Sequence, residues 1–407
     1  MTHAPAARDA LRLPATALGA LAFGQVLAWA SLFYVFAALL PRWEAELTGP
    51  PPALGLSLAL GVSALAAPWA GRAVDRGLAP WLMPGGALCG AALMAALSRV
   101  EGTAGFLAIW AAMGLAFATC LYEPCFALLG RVLGGGARRA IAAVTLVAGF
   151  ATALSFPSAG AMAEAFGWRG AALGMAAVAA LAAAPLLGWG AWRAERFAAE
   201  TGAAARAAGR APAPEAPSPG WRAEMARPGA WRIALAFACV AGSHGLVSAH
   251  MLALLPTRGL GPEAAVAVAA AVGPCQVAGR LALLSAPARW RAASLLPAAF
   301  AALAAGFAVL LLGHGIAAAA LFAALLGSAY GATTILRPVV LAETAGTERF
   351  GTLSGLVAAP FAASFALAPF LGGVLREAGG ATLAIGAAGT LPLIGFALVL
   401  PLALRRG

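Results

Sequence analysis

The sequence predicts an all-α integral membrane protein of twelve transmembrane helices, arranged as two six-helix repeats. Three observations carry that prediction. The 407-residue chain is 62% hydrophobic and only 10% charged, far from the composition of soluble domains. Its apolar residues fall into segments near the ~20-residue length that crosses a bilayer. The chain also repeats itself at an offset of about 214 residues. Thr119-Cys120-Leu121-Tyr122-Glu123-Pro124 lines up with Thr333-Thr334-Ile335-Leu336-Arg337-Pro338, and Leu21-Ala22-Phe23 with Leu235-Ala236-Phe237. Pro157-Ser158-Ala159-Gly160 faces Pro369-Phe370-Leu371-Gly372, seven residues before Gly167 and Gly379 respectively.

The first segment, 15–40, has no small-residue cleavage site behind a short core, so it reads as a retained helix. Segments at 53–74, 80–98, 104–129, 139–163 and 170–190 complete a first half, residues 1–190. A linker follows at 191–231, basic and proline-rich, with Arg196, Arg206, Arg210, Arg222 and Arg227 among prolines 212, 214, 217, 219 and 228. Such a stretch is a flexible tether near anionic headgroups. The second half, 232–407, holds segments at 232–256, 262–285, 292–313, 316–340, 349–375 and 381–403. No segment alternates apolar and polar residues on a period of two, which excludes a β-barrel.

A net charge of +11 in a soluble chain would point to nucleic acid, but here its distribution points to topology. All 26 basic residues are arginine. Only Arg42, Arg99, Arg169, Arg258 and Arg376 fall to one set of loops; the others, among them Arg72, Arg76, Arg131, Arg138, Arg139, Arg289 and Arg291, fall to the opposite side. The positive-inside rule then places both termini in the cytoplasm of a cell inner membrane, with no nucleic-acid partner to explain. Cys89, Cys120, Cys125, Cys239 and Cys275 all lie within segments, so structural disulfides are not expected.

Two charges at equivalent repeat positions are the first candidates for function. A glutamate in an apolar helix is stable either protonated or paired with a cation, so Glu123 is a proton relay or half of an ion pair. Arg337 keeps its charge and is an anion ligand, a partner for Glu123, or a side chain snorkelling to the headgroups. Pro124 and Pro338, one residue later, remove a backbone donor and give each helix a place to bend. Helical spacing puts Tyr330, Thr334 and Arg337 on one stripe and Thr119 and Glu123, beside Tyr122, on another. Gln25, Trp29 and Phe36 form a stripe on the first segment, which the repeat maps onto Cys239, Ser243 and His250. His244 and Ser248 point to another side of the seventh segment.

The chain resembles the major facilitator superfamily along nearly its whole length. Gly71-Arg72-Ala73-Val74-Asp75-Arg76 matches that family's Gly-x-x-x-Asp-Arg loop, and Gly167-Trp168-Arg169 the Gly-Trp-Arg at the start of its sixth helix. The resemblance implies a gating loop at Gly71, Asp75 and Arg76 and a cavity lined by the first, fourth, seventh and tenth helices. Gln276-Val277-Ala278-Gly279-Arg280 is similar to the eighth helix of monocarboxylate and oxalate–formate transporters, which implies that Arg280 pairs with a substrate carboxylate.

The chain has no P-loop, GxSxG or HExxH, so neither ATP, nor a cofactor, nor enzymatic chemistry is expected. The reading is a secondary active transporter, monomeric, moving a small organic anion with protons by alternating access. Its expected substrate residues are Arg280, Arg337, Gln25, Trp29, Tyr122, Ser243, His250, Tyr330 and Thr334, with Glu123 carrying the proton. Three alternatives stand beside it. One is efflux of an amphipathic compound; another is metal import through Cys239, His244, His250, Met251 and Cys275; the third is a non-transporting receptor on the same scaffold.

Overall fold

A computed structural model describes residues 13–134, 137–207, 228–285, 290–345 and 350–404. The described residues are helical nearly throughout, and no strand occurs among them. Among the described residues ten helical stretches are long and apolar enough to cross a membrane. Two of these are too long for one crossing: 139–201 and 357–404, 63 and 48 residues, where a bilayer core needs about 20. Each is broken by glycine. Gly167 has φ 68° and ψ 170°, and Gly380 has φ 69° and ψ −171°, both in the region that side chains disfavour. The breaks fall where the sequence separates the fifth segment from the sixth and the eleventh from the twelfth. Divided there, the stretches follow the twelve-segment reading.

Side-chain bonds gather the loops on the face away from the termini. Arg169 pairs with Glu46 at 2.6 Å and donates to the Val100 carbonyl at 3.0 Å, tying the first, third and sixth segments. Arg258 is buried and donates to the Leu311 carbonyl (3.2 Å) and the Thr382 hydroxyl (3.3 Å) in the second half. On the terminal face, Arg131 pairs with Glu195. The sixth segment continues as helix to Ala207, past the start of the expected linker. Residues 208–227, with Arg210, Arg222 and the prolines between them, lie outside the described residues, as does Arg289.

Within lipid, helices gain nothing from burying apolar surface against each other, so close contact must come from small side chains. The eighth and tenth segments illustrate this. A Cβ at Gly279 would collide with the backbone of Ser328, and one at Gly331 with that of Gln276. That approach brings Arg280 to the tenth segment. The fifth and eighth segments, from different halves, cross where Gly149 meets Gly273. Thr152 sews the crossing together: its hydroxyl donates to the Ala270 carbonyl and accepts from the Gly273 N–H, both at 3.0 Å.

The first segment is not a regular α-helix. Residues Trp29–Tyr34 form a π-turn between Ala15–Ala28 and Val35–Glu46. A π-turn inserts about one extra residue and so rotates everything beyond it by roughly 100°. Phe36 consequently leaves the stripe predicted for it. It packs edge-on against Trp110 with centroids 4.5 Å apart, inside a buried aromatic cluster with Trp43 and Phe106.

Candidate functional site

The fourth segment breaks at Leu121, whose ψ of −151° is extended, between helices Thr103–Cys120 and Tyr122–Leu133. Pro124 explains the position of the break. Having no N–H, it cannot bond to the Cys120 carbonyl four residues earlier, but in the first turn of a new helix no such bond is needed. Cys120 is fully buried, so its carbonyl needs another donor. Gln25 supplies it: Nε2 donates to the carbonyls of Cys120 (2.9 Å) and Leu121 (3.1 Å). Gln25, fully buried and committed to this break, lines no cavity.

The break delivers Glu123 to the first turn of Tyr122–Leu133, where the positive end of the helix dipole favours an anion. Glu123 is exposed although it lies in mid-segment. Across from it stands Arg337, half-buried, with its guanidinium 4.6 Å from the ring centre of Phe361. The two opposite charges lie within electrostatic reach of each other. Among the described residues the Arg337 side chain has no hydrogen-bond partner.

Arg280 is arranged differently. It is 4% exposed, and all three of its nitrogens are engaged. Nε donates to the Thr334 hydroxyl at 3.3 Å, one terminal nitrogen to Gln276 Oε1 at 3.5 Å, and the other to the Thr145 carbonyl of the opposite half. It therefore ties the two halves together as well as the eighth segment to the tenth. Thr334 itself is exposed.

The three tyrosines of the chain, Tyr34, Tyr122 and Tyr330, lie within electrostatic reach of one another and of Arg280. Trp29 packs on Tyr122 at 4.7 Å, and Tyr122 stacks on Phe126 at 4.9 Å. Tyr330 stacks on His244 at 3.6 Å, nearly parallel at 14°, and His244 bonds Ser248 at 3.2 Å. Trp29, Tyr122, Tyr330, Phe361 and Phe365 are each half-exposed while touching residues of other segments, and Tyr34 is half-exposed beside Trp29. They line a space between the halves. Toward the face away from the termini that space is closed: Phe33 stacks on Phe365 at 6.2 Å, Phe370 N–H donates to Ser57 at 3.0 Å, and Arg376 pairs with Glu44 at 2.5 Å. Each of these contacts joins one half to the other. The exposure of Glu123 and Thr334 therefore reaches them from the terminal face.

The structure thus brings Glu123, Arg337, Arg280, Thr334, Tyr330, Tyr122 and Trp29 to one place. It does not bring Ser243 or His250 there. Ser243 donates to the Ala388 carbonyl at 2.8 Å, and buried His250 holds the Pro369 carbonyl at 2.8 Å. The seventh segment turns His244 and Ser248 to the space instead, the reverse of the stripe drawn from the repeat. The π-turn accounts for Phe36, from which His250 was mapped. Ser243 was mapped from Trp29, which precedes the shift and does reach the site, so the unbroken seventh helix is set at a different rotation from the first. Gly71, Asp75 and Arg76 end the second segment, with both charged residues exposed at the terminal face. Among the described residues no three histidine, cysteine or acidic side chains meet as a metal site would need. Tyr34, Phe361 and Phe365 escaped the sequence reading. The scarcity of tyrosine was the one signal that could have marked Tyr34.

No curated protein matches the chain. Among solved structures it is similar to a bacterial homolog of the human lysosomal transporter Spinster in two inward-facing conformations. For the occupied one the identity is 16% and the TM-score 0.58; for the unoccupied one they are 17% and 0.60. Each match covers 95% of this chain and 94% of the other. At that identity the likeness establishes the fold. The sequence profile of the Major Facilitator Superfamily matches residues 21–294, two thirds of the chain, and the protein belongs to that superfamily: it is a multi-pass membrane transporter, not an enzyme.

Proposed function

We propose that the protein is a secondary active transporter that carries a small organic anion together with a proton, with Arg337 as the anion's ligand and Glu123 as the proton carrier. The observation that supports this most is the contrast between the two arginines. Arg280 spends its guanidinium on the protein, whereas the half-exposed Arg337 side chain, opposite Glu123, has no hydrogen-bond partner among the described residues. A planar guanidinium can grip a carboxylate with two parallel hydrogen bonds. When a substrate carboxylate takes Arg337, it replaces Glu123 as counter-ion, and a proton on Glu123 keeps the site neutral. Anion and proton would then cross together. The resemblance to monocarboxylate carriers gave the ligand's role to Arg280; the hydrogen bonds favour Arg337.

The halves 1–190 and 232–407 are the moving bodies, and the arginine asymmetry assigns the open terminal face to the cytoplasm. Rocking about the Thr152 crossing would part Arg376 from Glu44 and open the far side.

The test is uptake of labelled acetate and lactate by the purified full-length protein in proteoliposomes, with and without a pH gradient. Gradient-dependent accumulation is expected. Arg337→Lys keeps the charge but loses the fork, and should weaken anion binding by about 10- to 100-fold. Arg280→Lys should change binding by less than about threefold. Uptake indifferent to the gradient, or an Arg337→Lys variant that binds like the parent, would overturn the reading.

A further inference from the structure

We infer that the transported anion carries a planar aromatic group, which Phe365 receives by ring stacking while Arg337 holds the carboxylate. The inference rests on the proposed anion transport and narrows it. Three features of the space carry it. First, its free charge is one cation and one carboxylate, Arg337 and Glu123, since Arg280 is committed to the protein. Among the described residues that set suits a monoanion and offers no second cation to a dicarboxylate.

Second, the walls around that cation are aromatic and aligned. Phe361 lies under the Arg337 guanidinium at 4.6 Å and is followed by Phe365 at 6.3 Å. The ring of Phe365 is within 8° of parallel to Phe33 on the first segment and within 9° of His244 on the seventh. Their centroids stand 6.2 and 6.5 Å from Phe365, whereas His244 and Tyr330 close to 3.6 Å. The wider separations are those of offset stacks, so these rings align into one flat aromatic wall along which a further ring can lie. Third, Phe365 and Phe361 are half-exposed in mid-helix while facing other segments. Each packs against the core on one side and keeps part of its ring accessible on the other. A two- or three-carbon acid on Arg337 would leave this surface wetted, and covering it is favourable. Offset stacking adds to that for a π-face over a saturated ring.

Phe33 and Phe365 belong to opposite halves. A ring on Phe365 would therefore lie beside the contact that closes the far face, which couples occupancy to the parting of the halves.

The experiment is calorimetric titration of the purified full-length protein in detergent with benzoate, cyclohexanecarboxylate and acetate. Benzoate and cyclohexanecarboxylate share charge and near-equal bulk but differ in planarity. Benzoate should bind about 3- to 10-fold tighter than cyclohexanecarboxylate. Phe365→Leu should bring that ratio to about one, and Phe365→Tyr, which restores a ring, should restore it. Equal binding of the two cyclic acids, or a ratio that survives Phe365→Leu in a monodisperse variant, overturns the aromatic inference. If the three acids bind alike and Arg337→Lys weakens them all, the anion reading stands and this inference alone falls. If none of the acids binds, both fall.

Discussion

The fourth and tenth segments occupy equivalent places in the repeat, each with a charge followed by proline, yet they solve the same backbone problem in opposite ways. The fourth breaks at Leu121 and starts a new helix at Tyr122; the tenth runs as one helix from Gly315 to Ala345, through Pro338. Each proline deprives one carbonyl of its donor: Cys120 in the first case, Thr334 in the second. Cys120 is fully buried, and an orphan carbonyl there would cost about 1–3 kcal/mol. Thr334 is exposed to the central space, where water can serve. The buried carbonyl is met by Gln25, whose repeat equivalent is Cys239, a side chain with only a weak donor. The same motif thus bends one helix and leaves the other whole, according to whether the lost hydrogen bond would be dry or wet.

Breaking this comparison gives a graded set of outcomes. The largest effect is expected from Glu123→Gln, which fixes the neutral form of the group the break delivers. A one-proton symporter under a gradient of one pH unit accumulates its anion about tenfold. In this variant accumulation should vanish while exchange of labelled for unlabelled substrate continues, as counterflow in proteoliposomes would register. Unchanged accumulation would remove Glu123 from the coupling.

Gln25→Leu should come next, destabilising the protein by about 2 kcal/mol because two buried carbonyls lose their donor at once. Thermal unfolding in detergent measures it. Adding Pro124→Ala to Gln25→Leu sharpens the point, since the restored N–H can serve Cys120 directly. About half of the lost stability should return, and no recovery would show that the break has another cause. The smallest effect belongs to Pro338→Ala, within about 0.5 kcal/mol, because the carbonyl it deprives belongs to Thr334, an exposed residue that water can reach. A larger loss would mean that Thr334 is drier than its exposure indicates.

Much of the site was legible in the chain, for reasons that have limits. Charges in an apolar helix stand out because burying them is costly, so Glu123 and Arg337 identified themselves. Pro124 marked the bend. Gly167 and Gly379 marked breaks at matching points of the repeat, and the positive φ appears at Gly167 and at Gly380, one residue on. Helical stripes worked on the tenth segment, where the helix is regular, and placed Tyr330, Thr334 and Arg337 together. They failed on the first and seventh. The π-turn at Trp29–Tyr34 carried Phe36 into the core, and the seventh segment, a regular helix set at another rotation, presents His244 in place of Ser243 and His250.

By itself, then, the sequence determined the membrane class, the duplicated segments, the superfamily and the two charges at its centre. Composition, length and local spacing encode these directly, and each is a property of one segment or one offset. Only the tertiary structure decided which arginine is spent on the protein. Arg280 and Arg337 look alike in sequence, and they differ because Gly279 and Gly331 let the eighth and tenth segments close on each other, while the Thr145 carbonyl arrives from the other half. Whether a donor is spent or available depends on partners far away in the chain, and those partners exist only once the helices have packed.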